Sequence, residues 1–66
     1  MDILEVYKKF HRKKVRITDI DGQVFEGKAI VGTEYETDRG YVDIHYDDKN
    51  YVTCIFEDEI ASIESI

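Results

Sequence analysis

The chain has 66 residues, of which 42% are hydrophobic and 36% charged, and its formal net charge is −6. A domain of about 60 residues buries only about 60% of the surface of its unfolded chain, so the core is small. The sequence has no run of about 18 apolar residues, which a membrane-spanning helix needs, and its one cysteine, Cys54, excludes an internal disulfide. We therefore expect a single domain over residues 1–66 with no membrane contact. The first residues, MDILEVYKK, lack the apolar segment of a signal peptide, which favours the cytoplasm.

Charge is divided unevenly along the chain. Residues 1–16 carry six positive and two negative charges, and residues 17–66 carry three positive and thirteen negative ones. The six basic residues of this N-terminal segment are Lys8, Lys9, Arg12, Lys13, Lys14 and Arg16. Phosphate contacts in nucleic-acid complexes come mainly from lysine and arginine, so only this segment is suited to RNA. The alternative is that it neutralises the acidic remainder of the chain or of a neighbouring subunit.

The pattern at the N-terminus predicts a helix over about residues 2–11. Asp2 is a good N-cap, and Glu5, three residues later, completes a capping-box pattern. The apolar residues that then recur at helical spacing are Ile3, Leu4, Tyr7 and Phe10. We expect these four to form one apolar stripe that docks on the rest of the domain, because so short a helix is unstable alone.

From Lys14 onward, alternation of apolar and polar residues predicts strands. Val15 and Ile17 share a face of the first strand, and the sequence Asp21-Gly22 predicts a two-residue type I′ hairpin turn. The shared-face residues of the second strand are Phe25, Gly27, Ala29 and Val31. A glycine in mid-strand usually marks a bend or a close backbone approach, which we expect at Gly27.

Three further strands follow a polar loop that we place at residues 32–40. Their shared-face residues are Val42, Ile44 and Tyr46 in the third strand, Val52, Cys54 and Phe56 in the fourth, and Ile60, Ile63 and Ile66 in the fifth. The segments 47–50 and 57–59 are predicted connections. Cys54 is expected to be a buried structural thiol on its apolar face.

The sequence Gly22-Gln23-Val24-Phe25-Glu26-Gly27-Lys28-Ala29 has the form G-x-x-h-x-G-x-h, where h is apolar. Together with a helix followed by five short strands, it resembles the Sm-like (LSm, Hfq-like) family, and in particular short bacterial Sm-like proteins of unassigned role. The resemblance implies a mainly β fold, a five-stranded SH3-like or Sm-like small barrel with an N-terminal α-helix. In this motif Gly22 and Gly27 are the fold-determining glycines.

The resemblance also implies RNA-binding positions, but the residues at these positions do not fit the family pattern. Counting from Gly27 places Thr33 at the family's aspartate position and Thr37 at its asparagine position. Phe56 and Glu57 then stand where the family has an arginine and a glycine. The uridine pocket of the family is therefore not carried over to this chain.

Ring assembly is a second implication of the resemblance, because the fourth strand of an Sm-like subunit pairs with the fifth strand of its neighbour. The uncharged segment that would form this oligomer edge consists of Tyr51, Val52, Thr53, Cys54, Ile55 and Phe56. Exposed strand edges usually need to be covered. We therefore expect a homo-oligomer, and a ring is one form that it can take.

No catalytic or metal-binding pattern stands out, and we expect a non-enzyme without a cofactor or metal. His11 is expected to face solvent at the end of the helix, and His45 lies opposite the Ile44 face. Four tyrosines are interspersed with acidic residues, which suits a basic partner held by cation–π contacts. The residues proposed for this protein-partner surface are Tyr35, Tyr41, Tyr46, Tyr51, Asp47 and Asp48. The alternative is that the tyrosines pack on the sheet with their hydroxyl groups in water.

The leading functional hypothesis is a self-associating binding protein that presents this acidic, tyrosine-rich surface to a protein partner. The alternative is an RNA-binding protein in which the basic N-terminal segment contacts phosphates and tyrosines stack on bases.

Overall fold

The computed structural model describes residues 2–66, so Met1, the first residue of the predicted domain, lies outside the described residues. In chain order the elements are α1 (Ile3–Phe10), β1 (Lys14–Asp19), β2 (Val24–Thr33), β3 (Gly40–His45), β4 (Val52–Phe56), a 3₁₀ turn (Glu57–Glu59) and β5 (Ile60–Ser65). The strands form one antiparallel sheet in the order β4-β3-β2-β1-β5. The predicted mainly β fold with five strands and an N-terminal helix is confirmed. The sheet is not closed within residues 2–66, since β4 and β5 form no ladder with each other.

Helix α1 begins at the predicted cap. The Oδ1 atom of Asp2 accepts a hydrogen bond from the backbone N–H of Leu4 at 3.0 Å. The helix ends at Phe10, and Arg12 then takes a positive φ of 66°, which turns the chain into β1. The backbone N–H of Arg12 donates to the carbonyl oxygen of Ala29 at 2.7 Å, which ties the end of the helix to β2.

The buried face of α1 differs from the predicted stripe. Val6 is the residue that is buried, and Ile3 and Phe10 pack against the core beside it. Leu4 and Tyr7 are 57% and 47% exposed, so the prediction that they are part of the buried stripe is wrong. Ile3, Val6 and Phe10 follow the i, i+3, i+7 spacing of a single line along the helix, and this line packs on the core.

Strand β2 is shared between two neighbours and changes partner at its middle. Lys28 pairs with Lys14 of β1 on one side and with His45 of β3 on the other. Residues 24–27 pair only with β1, and residues 29–33 pair only with β3. A Cβ atom on Gly27 would lie 2.5 Å from the carbonyl oxygen of His45 and 2.8 Å from Cγ2 of Ile44. The close backbone approach predicted at Gly27 is therefore confirmed.

The connection between β1 and β2 is the four-residue segment 20–23, and not the predicted two-residue type I′ turn. That turn needs positive φ at both central residues, whereas only Gly22 has one, 85°. Asp19 closes the loop by exchanging backbone hydrogen bonds with Gly22 and Gln23. Its Oδ1 atom also accepts from the N–H groups of Asp21 and Gln23, at 2.9 and 2.8 Å. The side chain of Asp19, which precedes the loop, therefore stabilises it.

The core lies between the inner face of the sheet and helix α1. Its buried residues are Val6, Val15, Ile17, Ala29, Val31, Val42, Ile44, Ile55 and Ile60. The predicted inward faces of β1, β2 and β3 are confirmed by this set, and Tyr46 packs against it as expected.

The predicted face of β4 is wrong. Ile55 is buried, whereas Cys54 is exposed and Val52 is 46% exposed. The cause is register, because Ile55 lies opposite the buried Val42 and Cys54 lies opposite the outward-facing Asp43. Cys54 is therefore not a buried structural thiol.

Strands β4 and β5 follow each other in the chain but lie at opposite ends of the sheet order. Only the 3₁₀ turn Glu57–Glu59 connects them, and three residues of such a helix span about 6 Å. The sheet must therefore curve strongly enough to bring its two edges close together at this end. In the part of the chain that the structure describes, no helix is long and apolar enough to cross a bilayer.

Candidate functional site

The two edge strands are the first candidate site. β4 pairs with β3 on one side only, and β5 pairs with β1 on one side only. Apolar side chains lie exposed at both edges, with Val52 46% exposed in β4 and Ile66 49% exposed just after β5. Glu64 is the one charged residue within these two strands. Uncharged edges with free backbone groups are suited to pairing with another strand.

Within the basic N-terminal segment, Arg16 is paired with carboxylates of its own chain. Arg16 lies at the centre of a three-strand row, directly opposite Glu26 of β2 and Glu64 of β5. Its Nε donates to Glu26 Oε2 at 2.6 Å, and its Nη1 donates to Glu64 Oε1 at 3.1 Å. The hydrogen bond to Glu26, followed by that to Glu64, raises the pKa of Arg16. Arg16 is thus paired with two carboxylates of its own chain, and its role as an RNA contact stays a prediction.

The remaining basic residues of the segment are exposed, and the structure adds one residue to them. Lys8 and Lys9 lie in the last turn of α1, where they also suit the negative end of the helix dipole. Lys14 of β1 lies directly opposite Lys28 of β2, and both are exposed. Like charges directly opposite each other destabilise a sheet. Lys28 was not predicted as a site residue, because its position beside Lys14 follows from the hairpin register.

The four predicted tyrosines do not form one surface. Tyr35 lies in the β2–β3 connection and is 98% exposed. The ring of Tyr41 in β3 lies close to Gly32. A Cβ atom on Gly32 would be 2.8 Å from the tyrosine Oη. Tyr46 and Tyr51, which flank the β3–β4 connection, are in contact as a T-shaped pair with 5.6 Å between ring centroids.

The Tyr46–Tyr51 pair forms one side of an open cleft beside the start of β2. The cleft is lined by Val24, Phe25, Glu26, Tyr46, Asp48, Lys49, Tyr51 and Thr53. The hydroxyl groups of Tyr46 and Thr53 lie 2.8 Å apart and form a hydrogen bond, which fixes the Tyr46 ring. The Nζ atom of Lys49 lies 4.6 Å from the Tyr46 ring centroid and 5.7 Å from that of Tyr51. Both distances are within the range of a cation–π contact. The two aromatic rings therefore already hold a cation, which the chain itself supplies.

A second cation–π contact lies at the other end of β4. The guanidinium carbon of Arg39 is 3.8 Å from the ring centroid of Phe56, and Arg39 Nη2 donates to Asp58 Oδ1 at 3.2 Å. A guanidinium group from the β2–β3 connection therefore lies next to Phe56, the residue that the predicted Sm-like resemblance aligns with the family's arginine.

Cys54 lies on the outer face of β4, opposite Asp43. Although the residue as a whole is exposed, its thiol is partly desolvated. This desolvation, followed by the hydrogen bond to Asp43 and its negative charge, raises the pKa of Cys54 to about 11. Because the thiolate is the reactive form, the thiol is a poor nucleophile at neutral pH.

His11 does not face solvent freely, contrary to the prediction. Its Nδ1 atom accepts a hydrogen bond from the backbone N–H of Val31 at 3.1 Å, and its ring stacks on Tyr7 at 4.4 Å. His45 is exposed on β3, as expected. No group of three or more His, Cys, Asp or Glu side chains within residues 2–66 is placed to hold a metal ion.

Comparison of the chain with protein-family models, with curated proteins and with solved structures gives no match. The Sm-like resemblance therefore depends on the G-x-x-h-x-G-x-h motif and on the order of the elements, and it stays a prediction.

Proposed function

We propose that this chain is a non-catalytic binding and assembly protein of the Sm-like type. Copies associate head to tail, β4 of one copy pairing with β5 of the next, and each copy presents its Tyr46–Tyr51 cleft to a protein partner. The observation that supports the proposal is that, within residues 2–66, the edge strands β4 and β5 carry almost no charge and pair with no strand on their outer sides.

The limited stability that a small core supplies also favours assembly. A core of this size rarely supplies more than about 3–5 kcal/mol of net stability, so small domains often gain stability from oligomerisation. Pairing β4 with β5 of a neighbour satisfies backbone groups on both strands and covers the exposed Val52 and Ile66. Because the interface joins two different edges, it can close into a ring or extend as a filament.

The test is a pair of edge variants, Val52→Lys in β4 and Ala61→Lys in β5. Both residues are exposed, so the fold of one subunit tolerates lysine, whereas a lysine at an edge opposes strand pairing. Ile20→Lys, at a residue that is 65% exposed in the β1–β2 loop, is the matched control. Sedimentation velocity is expected to show an oligomer for the wild type and for Ile20→Lys, and a 7.8 kDa monomer for each edge variant.

Mixing the two edge variants distinguishes head-to-tail pairing from other modes of association. The β4 variant retains an intact β5 and the β5 variant retains an intact β4, so the mixture contains one competent interface and is expected to form a 1:1 dimer. A wild-type protein that stays monomeric at tens of micromolar would refute the assembly proposal. A β5 variant that still dimerises alone would replace it with β4–β4 pairing.

RNA binding is the second candidate, and the Lys14–Lys28 pair favours it. Two exposed like charges placed opposite each other are suited to an anion such as a phosphate backbone. Fluorescence anisotropy with uridine-rich and adenine-rich RNA at two salt concentrations tests this function. Binding that weakens steeply with salt, and that is lost in Lys14→Gln and Lys28→Gln but retained in Arg16→Gln, supports it. Absence of binding at low salt excludes it.

A further inference from the structure

We infer that the Tyr46–Tyr51 cleft recognises a methylated ammonium group and that Lys49 is the chain's own exchangeable occupant of this site. The inference rests on the partner-binding part of the proposed function and assigns the ligand chemistry to that surface. It does not depend on assembly.

Lys49 lies within the cleft. Its ammonium lies over both tyrosine rings, and none of the ion pairs within residues 2–66 includes it. Asp47 and Asp48 precede it in the same connection. The Lys49 ammonium lies at cation–π distance from both rings, and this contact is the basis for inferring that the cleft attracts a cation.

The lining of the cleft contains aromatic and acidic side chains, which suit a cation. Phe25 adds a third aromatic side chain, and Asp48 adds a carboxylate. Glu26 also lines the cleft, and its carboxylate is paired with Arg16 at 2.6 Å. Aromatic faces with a nearby anion suit a large, weakly hydrated cation, and recognition of quaternary ammonium groups is a well-established use of such faces.

Competition with Lys49 decides which cation can bind. Lys49 is tethered beside the rings, so a free primary ammonium must compete with an intramolecular one of equal chemistry. A methylated ammonium loses less hydration on entering an aromatic cleft and can therefore displace it. Lys49 thus disfavours unmodified lysine and selects for the methylated form.

The test uses NMR titration with tetramethylammonium chloride, and with a trimethyllysine peptide and its unmodified twin. In the free protein the ε-methylene protons of Lys49 are expected upfield of their random-coil position, because they lie over aromatic rings. Tetramethylammonium should shift them back while it perturbs the ring protons of Tyr46 and Tyr51. The trimethyllysine peptide should bind more tightly than its twin.

Two variants and one control complete the test. Lys49→Ala is expected to tighten tetramethylammonium binding about tenfold, the gain if Lys49 occupies the rings in about nine-tenths of the molecules. Lys8→Ala removes the same charge from exposed helix α1 and should leave the affinity unchanged. Tyr51→Leu, at a half-exposed ring that is not part of the core, should abolish binding without unfolding the protein.

The outcomes separate the ligand sources and the two proposals. A peptide that binds more tightly than free tetramethylammonium indicates a modified protein as the partner, and equal affinities indicate a small quaternary ammonium compound. Random-coil shifts for Lys49, or no gain in Lys49→Ala over Lys8→Ala, would overturn the inference. If it fails while Val52→Lys and Ala61→Lys still form their mixed dimer, the assembly proposal stands alone.

Discussion

Cys54, on the outer face of β4, shows how partial desolvation and a neighbouring carboxylate together set the pKa of a thiol. Cys54 is accessible, yet its pKa is raised to about 11, first by partial desolvation and then by Asp43 opposite it. Each unit of pKa above the usual value lowers the thiolate fraction at neutral pH about tenfold. Exposure alone would have suggested a reactive thiol, and the raised pKa argues against it.

Cys54 is therefore expected to react with iodoacetamide at pH 8 about 100-fold more slowly than the same thiol in urea-unfolded protein. The rate should rise with pH until about 11, where the thiolate form predominates. Asp43→Asn should accelerate the reaction at pH 8, since it removes the adjacent negative charge. Equal rates in folded and unfolded protein would contradict this account.

The hydrogen bond from Val31 to His11 is a second feature at the residue scale that substitutions can test. His11→Phe keeps a ring against Tyr7 but leaves the N–H of Val31 without its acceptor, which costs about 1–3 kcal/mol. His11→Asn can retain an acceptor near the Nδ1 position and should cost less. Urea unfolding of both variants measures the difference, and a His11→Phe protein as stable as the wild type would rule out this role.

At the scale of elements, strand β2 organises the sheet because it pairs with β1 along its first half and with β3 along its second. Gly27 permits the transition, since its missing Cβ leaves room for the backbone of His45. Gly22 is required for a different reason, its positive φ in a loop where a Cβ atom would meet nothing within 4 Å.

The two glycines are expected to respond differently to substitution. Gly27→Ala should cost about 1–3 kcal/mol or more through overpacking against a backbone that cannot move away. Gly22→Ala should cost about 1–2 kcal/mol through the left-handed conformation, and Gly22→Asn less, because asparagine tolerates that conformation. Thermal unfolding monitored by circular dichroism checks the order. A Gly27→Ala protein that is more stable than Gly22→Ala would contradict the close-approach explanation.

Sequence patterns predict most elements correctly, and they fail where both faces of a strand are apolar. In β1 the polar Arg16 and Thr18 identify the outward face, so the buried residues follow directly from alternation. In β4 the residues of both faces are apolar or uncharged, and only the register with β3 decides that Ile55 points inward. Local alternation contains no information about that register.

The residues of the candidate sites also differ in whether the sequence alone could predict them. Tyr46 and Tyr51 of the cleft were predicted from the sequence, whereas Phe25 and Lys49 were not, because the position of Phe25 beside them depends on the fold of the sheet. The Arg16–Glu64 contact joins residues 48 positions apart and depends on the order of three strands. The neutralisation of Arg16 was therefore beyond what the sequence alone could predict.

At the scale of the whole molecule, the sheet is strongly curved but open. Its two edges come close at the 3₁₀ turn and do not pair with each other in residues 2–66. An open sheet with a small core gains both backbone hydrogen bonds and buried apolar surface when copies associate. Self-association is therefore the central claim of the proposed function.

The most direct measurement is residue-resolved amide hydrogen exchange at two protein concentrations, one far below and one far above the micromolar range. Head-to-tail assembly predicts that amides on the outer sides of β4 and β5 become protected together as concentration rises, while those of the exposed Tyr35 and Glu36 in the β2–β3 connection exchange rapidly throughout. Edge amides that exchange at the same fast rate at both concentrations would contradict the claim that these strands pair between subunits.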